Sequence, residues 1–473
     1  MKRSVYAVLL FTAVFCLFIP FTLVAQTSVT LTTANPTAPQ ETSYVYLPVI
    51  TNRHDSQFPA PLFGVQMYGN SGVSSPYHPY LIGSQSRWLR NRISWESVEP
   101  TNRPVEEFIW GGADNATAAA RPDNGGLHLV FVIGDGVPEW ARLLPNKPYG
   151  PIHPNALPDF AEFVQAIVER YDGDGYQDAP GGQVIKHWEL VNEPDSNREG
   201  WGEYGSEYAA MLQVAYTAIK LADPQAQVVM GGVAHDWFEY QGGPFNSSFL
   251  DDVLAAGGGN YFDVMNFHVY PLFAPNWDSN GTGLKEKTAA IRSKLASYGL
   301  NKPVIITEGG WYDSEPSNPD EQIARLVQLF TQSYAVNIKV MIWWMLHDPG
   351  SYFPNFGLVT NADSGPAAPK AAYTAYQSAY NLLSNTRFVR ELPPAETGAA
   401  NMEAYLFQSL TGPLYVAWLN PYQTLETKPL RIPGSQATLL DGQGSYSNTI
   451  YDTDGDGYVI IPITRHPIYI RVN

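Results

Sequence analysis

Leu127-His128-Leu129-Val130-Phe131-Val132-Ile133-Gly134 is followed by a stretch in which Phe160, Phe163, Val164, Ile167 and Val168 recur at helical spacing, and then by Val184-Ile185-Lys186-His187-Trp188-Glu189-Leu190-Val191-Asn192. An apolar run, an amphipathic stretch with no Gly or Pro between Phe160 and Val168, and a second apolar run spell strand, crossover helix, strand. The same alternation extends in both directions. Further strands are expected from Gly64 (GVQMY), Trp88 (WLRNRISW), Gln227 (QVVMGGV), Phe262 (FDVMNFHVY), Pro303 (PVIITE) and Lys339 (KVMIWWML), with helices near 207–221, 285–298, 321–334 and 370–383. Eight strands that each feed a helix fit a closed (β/α)₈ barrel, expected over residues 62–384. A doubly wound open sheet is the alternative, but the chain lacks the Gly-rich first turn of the dinucleotide-binding sheets.

Past Ser384 the long helical periods vanish. Short runs take over at 405–407, 414–419, 437–440, 458–461 and 468–470, separated by turn residues, so a small β-sandwich is expected over 385–473. At the other end, Met1-Lys2-Arg3, an apolar run from Val5 to Ile19 and a small residue at Ala25 have the layout of a secretory signal peptide over residues 1–25. A retained membrane anchor is the competing reading. Residues 26–61 are rich in Thr, Ser, Pro and Ala, as in Thr32-Thr33-Ala34-Asn35-Pro36, and read as an extended linker in which Tyr44–Ile50 could dock as an edge strand.

Cys16, the one cysteine, lies in the leader. A mature chain without it has no disulfide, thiolate metal site or cysteine nucleophile. Lys and Arg number 28 against 45 Asp and Glu, a net charge of −17, and loss of Lys2 and Arg3 makes the balance more acidic still. That argues against nucleic acid and anionic membrane as partners. Composition leaves the oligomeric state open. The 12 Trp and 29 Tyr residues mildly favour a carbohydrate partner, since sugars stack their C–H faces on such rings, although many of these rings will pack a core.

Catalytic groups of a barrel sit where its strands end. The fourth candidate strand ends in Asn192-Glu193-Pro194-Asp195 and the seventh in Thr307-Glu308-Gly309-Gly310. Two glutamates from different strands can supply the pair of carboxyls that glycosidic cleavage needs, one to protonate the leaving oxygen and one to attack or to activate water. Glu189 is expected to face the barrel interior and to pair with an arginine, because a charge there needs a partner.

With these motifs at these strand ends, the chain resembles the clan A retaining glycoside hydrolases over about residues 64–383. The resemblance implies Glu193 as acid/base, Glu308 as nucleophile and Asn192 as a contact to the sugar 2-hydroxyl. It also implies an arginine on strand two that supports the nucleophile, for which Arg90 fits best and Arg92 has the same strand parity. His268 and Tyr270, in Phe267-His268-Val269-Tyr270-Pro271, match a substrate contact and the hydroxyl that holds the nucleophile. Trp343-Trp344 matches the aromatic floor of the cleavage subsite, although in a regular strand one of the two must face away. Trp140 is a candidate for flanking the cleft, with core packing as its alternative. Within the clan the chain is similar to family thirty-nine, which includes β-xylosidases and α-L-iduronidases, through Phe356-Gly357-Leu358-Val359, Pro369-Lys370-Ala371-Ala372-Tyr373 and Val416-Ala417-Trp418.

No cofactor is expected. Two acidic loops, 172–178 and 452–457, resemble calcium loops, yet neither ends in the closing glutamate of the twelve-residue loop, and Asp-Gly is also a turn signal. Gly-x-Ser-x-Gly, Walker and His-Glu-x-x-His motifs are absent. The expected function is a secreted glycosidase acting on plant or microbial oligo- or polysaccharides. A non-catalytic carbohydrate-binding barrel and a calcium-organised surface adhesin are the alternatives.

Overall fold

A computed structural model describes residues 57–102, 107–198, 200–277, 279–350, 354–363 and 365–472. The expected signal peptide, Cys16, the Tyr44–Ile50 strand and nearly all of the linker lie outside them. No helix among the described residues is long and apolar enough to cross a membrane.

Eight parallel strands form the barrel: β1 (Phe63–Gln66), β2 (Trp88–Arg92), β3 (His128–Ile133), β4 (His187–Leu190), β5 (Gln227–Met230), β6 (Met265–Val269), β7 (Val304–Gly309) and β8 (Met341–Trp343), hydrogen-bonded in the order β5-β4-β3-β2-β1-β8-β7-β6. The ring closes between β5 and β6 through two isolated parallel bridges, Val229 to Val264 and Val233 to Phe267. Regular pairing fails there because the chain runs through Gly231-Gly232, where backbone and side chains crowd. A Cβ on Gly232 would lie 2.2 Å from Nε2 of His268, so only glycine fits.

Alternation along the strands sorts the barrel interior into two layers. Trp88, Val130, Val229, Val264, Ile305, Val340 and Ile342 make an apolar lower layer, plugged from below by Phe58. Phe58 falls inside the stretch read as linker and packs with this layer. Two residues further along the same strands come Arg90, Asn266 and Thr307, which make a polar upper layer with Gln66 and Glu189, all buried. The catalytic candidates stand above it.

The helix Leu157–Arg170 buries Phe160, Phe163, Val164, Ile167 and Val168, the stripe visible in the sequence, with Asp159 in its first turn and Arg170 in its last to suit the helix dipole. Helices Gly205–Ala222, Leu284–Ser297, Pro319–Ala335 and Ala371–Leu383 lie where the periodicity places them. Pro319–Ala335, capped by the Asn318 side chain, is buried almost all round, because the C-terminal β-structure covers its outer face.

That β-structure is a six-stranded antiparallel sheet and a two-stranded one. The larger has the order β14-β13-β16-β11-β10-β9, the smaller is β12-β15, and the strands are β9 (Arg387–Glu391), β10 (Met402–Ser409), β11 (Gly412–Leu419), β12 (Lys428–Pro433), β13 (Gln436–Leu440), β14 (Tyr446–Tyr451), β15 (Tyr458–Ile463) and β16 (Ile468–Val472). In β11 Leu414, Val416 and Trp418 join the barrel core, while Tyr415, Ala417 and Leu419 pack with Leu430, Ile432, Val459 and Ile461 of the small sheet. The centre of the large sheet is therefore buried on both faces, and its inner face meets the barrel, as in the edge-to-face contact of Phe407 with Tyr334 at 5.8 Å.

Candidate active site

Arg90 organises the mouth of the barrel. Its guanidinium donates from Nε to Glu189 Oε2 at 2.9 Å, from Nη2 to Glu189 Oε1 and Asn192 Oδ1 at 2.7 Å each, and from Nη1 to Gln66 Oε1 at 2.7 Å and Glu308 Oε1 at 2.5 Å. All five donors are thus used. Burial opposes the charge, but the Glu189 and Glu308 carboxylates outweigh it and hold the Arg90 pKa above its ordinary value. Arg92, the other candidate, lies over the Tyr68 ring and 3.6 Å from Asp135. Arg90 is therefore the arginine that reaches Glu308.

Glu308 owes its aim to an irregularity in β7. Opposite β6 the register slips between Phe267 and His268, and opposite β8 three steps from Ile306 to Gly309 face two from Met341 to Trp343. The bulge turns the consecutive residues Thr307 and Glu308 both inward, which strict alternation forbids. Glu308 Oε2 then accepts from the Tyr270 hydroxyl at 2.8 Å. Burial and the Glu308 charge push the Tyr270 pKa well up, so this hydroxyl stays a donor.

The other carboxyl sits on a strained turn. Val191 and Glu193 have φ of 68° and 43°, a conformation that costs about 1–3 kcal/mol per residue and persists only where neighbours enforce it. Here Val191 N–H donates to Ile133 O, Asn192 N–H to Asp135 Oδ1 and Glu193 N–H to Gly232 O, at 2.9, 3.0 and 3.2 Å. Asp195 in turn accepts from the Ala234 and His235 N–H groups at 3.0 and 2.7 Å, tying this turn to the loop after β5. Burial, with a contribution from the Glu193 charge, pushes the Asp195 carboxyl up to about 7 despite those two donors.

His268 joins the two halves. Its Nδ1 lies 2.9 Å from Glu193 Oε1 and its Nε2 3.2 Å from Thr307 Oγ1. Burial lowers its pKa to about 4, against the opposing pull of Glu308, so the ring is neutral at pH 7. Oxygens of Glu193 and Glu308 and a ring nitrogen of His268 all lie within 4.8 Å of one another.

The tryptophans divide. Inward-facing Ile342 fixes the parity of β8, so Trp344 faces the mouth, donating to Tyr68 Oη at 3.2 Å and standing edge-on to Tyr270 at 6.3 Å and Phe356 at 4.9 Å. Trp343 points outward into the helix layer, fully buried and bonded to Phe356 O. It is a core residue and no part of an aromatic floor. Trp140 packs edge-on against Trp95 at 5.2 Å beside Phe160 and Phe163, the core alternative for that residue. Gln66, Tyr68, Thr307 and Asp195 belong to the site and were not singled out from sequence. For Gln66 and Tyr68 the signal was available, since Gln66 ends the first strand at the level of Arg90 and Tyr68 follows two residues on, with the same parity.

A cavity of about 200 Å³ opens beside Glu193, walled by His268, Tyr270, Trp237, Phe273, Phe245 and Arg198. Larger hollows of about 610 and 730 Å³ lie at the opposite end of the barrel strands, by His128 and His187, and beside Lys285 and Glu403. Neither touches the glutamates, so volume is no guide to the chemistry here. The acidic loops do gather carboxylates, Glu169 with Asp172 and Asp174 in one and Asp452 with Asp454 and Asp456 in the other. They serve as turn caps, however. Asp452 accepts from the Gly455 and Gly457 N–H groups at 2.8 Å, Asp456 pairs with Arg431 at 2.7 Å, and Asp172 accepts from Asp174 N–H at 3.0 Å.

The fold is one that glycoside hydrolases share. No protein-family model and no curated protein matches the sequence. Among solved structures, the chain is similar to a family 39 glycoside hydrolase from Bacteroides cellulosilyticus at 21% identity and TM-score 0.65, covering 88% of this chain and 82% of that one. A GH30 endoxylanase from Clostridium papyrosolvens matches at 14% identity and TM-score 0.58, over 87% and 97% of the two chains. A monomeric β-xylosidase from Caulobacter crescentus matches at 14% and 0.58, over 87% and 96%. The (β/α)₈ barrel with an all-β C-terminal part is common to this chain and those neighbours.

Proposed function

We propose that this protein is a secreted retaining glycoside hydrolase that cleaves O-glycosidic bonds of plant or microbial oligo- or polysaccharides by double displacement. The observation that carries the reading is the approach of Glu193 and Glu308, whose oxygens come within 4.8 Å across the barrel mouth. Direct attack by a carboxylate calls for carboxyl groups about 5–5.5 Å apart, whereas room for an intervening water calls for about 6.5–9.5 Å.

The surroundings suit two different roles. Glu308 accepts from Arg90 and Tyr270, donors that aim it as the nucleophile. Glu193 Oε1 lies 2.9 Å from Nδ1 of neutral His268. Protonated Glu193 gives its proton to the leaving oxygen as Glu308 bonds to the anomeric carbon. Water, deprotonated by Glu193, then breaks the glycosyl–Glu308 bond and restores both groups. Asn192 gives its Oδ1 to Arg90, so its amide donors are turned to a sugar hydroxyl, and Trp344 offers a ring beneath the sugar.

The test is a panel of aryl xyloside, glucoside, galactoside, arabinoside and mannoside, with product stereochemistry followed by NMR. Turnover of at least one with retention is expected, and abolished by Glu308→Ala. Inversion of configuration refutes the mechanism.

A further inference from the structure

The cavity beside Glu193 is built asymmetrically. Glu193, His268 and Tyr270 form its inner wall, and neither Glu308 nor Trp344 lines it. It therefore opens on the acid's side of the scissile bond, where the leaving group departs. Its outer wall is Trp237, 41% exposed and stacked on Phe273 at 6.0 Å with an interplanar angle of 18°.

Holding Trp237 out takes structural effort. Its φ is 36°, and the chain folds back so tightly that a Cβ on Gly243 would lie 1.5 Å from its carbonyl oxygen. Lys287, wholly buried, donates to the Ala234 carbonyl and to Asp236 Oδ2, while Trp277 Nε1 donates to Asp236 Oδ1 at 2.6 Å. Asp195 fixes the two residues before Asp236. A large ring held exposed on a strained, braced turn is a binding surface rather than an accident of packing.

The charges on the cavity do not cancel. Asp236 is neutralised by Lys287 and His268 is uncharged at pH 7. Arg198 is exposed on the rim, and no carboxylate among the described residues pairs with it. Among the described residues, the Arg198 guanidinium is thus a positive charge on a cavity whose other walls are largely aromatic.

We propose that this cavity is a leaving-group subsite for an acidic sugar, a hexuronic acid unit that lays its C–H face on Trp237 and directs its carboxylate to Arg198. The assignment of the leaving side rests on Glu193 being the acid; the chemistry of recognition rests on Trp237 and Arg198. A guanidinium pairs with a carboxylate through two parallel hydrogen bonds, which selects for that group by shape as well as by charge.

Binding of methyl β-glucuronide and methyl β-glucoside is measured by NMR titration on the full chain, the Arg198→Gln variant and the Trp237→Ala variant. The full chain is expected to bind the glucuronide about fivefold more tightly at low salt, a preference that shrinks as salt is added because the pair is exposed. Arg198→Gln should abolish the preference and leave glucoside binding unchanged, while Trp237→Ala should weaken both. Equal affinity for the two probes, a preference that survives Arg198→Gln, or no saturable binding of either overturns the proposal. Hydrolysis of aryl glycosides by the same preparations separates it from the reaction. Turnover without an acidic preference sinks the subsite alone. A glucuronide site dependent on Arg198 and Trp237 in a chain that hydrolyses nothing sinks the catalytic reading alone.

Discussion

Arg90→Met separates the stability of the barrel from its chemistry. The substitution keeps an apolar stem of similar length and removes five donors at once. Among the described residues, Glu189, fully buried, would retain the Gly232 N–H at 3.2 Å and the Thr307 hydroxyl at 3.3 Å as donors and would lose its ion-pair partner. Stranding a buried carboxylate in this way costs about 3–5 kcal/mol, a large part of a domain's usual ~5–15 kcal/mol. Exchanging both partners for apolar residues is far milder, because the desolvation cost disappears with the charges. In urea unfolding followed by tryptophan fluorescence, Arg90→Met should therefore be strongly destabilised. Arg90→Met with Glu189→Met should recover at least about 2 kcal/mol of that loss. Activity should not return with stability, since Glu308 still lacks its cation in the double variant. A double variant whose loss equals the sum of the two single losses would refute the closed ion pair. One that regains turnover would refute the role of Arg90 at Glu308.

Loss of the acid in Glu193→Ala should slow hydrolysis of unactivated glycosides by about 10²–10⁴ while largely sparing aryl glycosides with good leaving groups; steady-state rates on both substrate types check this, and equal loss on both counts against the role. Trp344→Ala should raise KM, whereas Trp343→Ala, in the helix layer, should cost about 3–5 kcal/mol of stability and leave KM nearly unchanged; kinetics on the two variants would contradict the division of the pair if the KM effects were exchanged. The buried His187, His268 and His235 have folded pKa values lowered by burial to about 4, 4 and 3. Between those values and the unfolded value near 6.5 the unfolded chain binds more protons, so stability should fall as pH drops from about 6.5 toward 4. Asp195, raised to about 7, acts in the opposite direction, its contribution shrinking as pH rises from about 4 toward 7, as do the raised carboxyls of Asp135, Asp236 and Asp348, while His128, His347 and His466, also lowered, add to the effect of the three histidines. Melting temperatures at pH 7.5 and 5.0 test the sign, and a higher value at pH 5.0 would contradict it.

The barrel was readable because its strands and helices bury regular stripes, as in Phe160 to Val168, and because two glutamates follow strand-ending runs. What escaped has a common cause in each part of the molecule. Strands β9, β12 and β14 were not foreseen; β9 and β14 edge the large sheet, largely exposed, and β12 pairs only with β15 and carries Pro429 and Pro433. A strand with one partner and a wet face has little reason to be apolar. Alternation rightly said that Trp343 and Trp344 face opposite ways, but only the register against β1 and β7 says which. It misleads at Thr307-Glu308, where the bulge puts neighbours on the same side. Asp195 and Trp237 depend on how two loops lock together, which no local pattern encodes.

The twofold burial of the centre of the six-stranded sheet also bears on how the chain can be taken apart. Leu414, Val416 and Trp418 close over the outermost barrel helices, so a fragment cut near residue 384 would bare that apolar surface to water and be prone to clump. The C-terminal β-structure is better regarded as a cover over the barrel's own helices than as a detachable appendage, and graft or truncation schemes for this chain should move the two together.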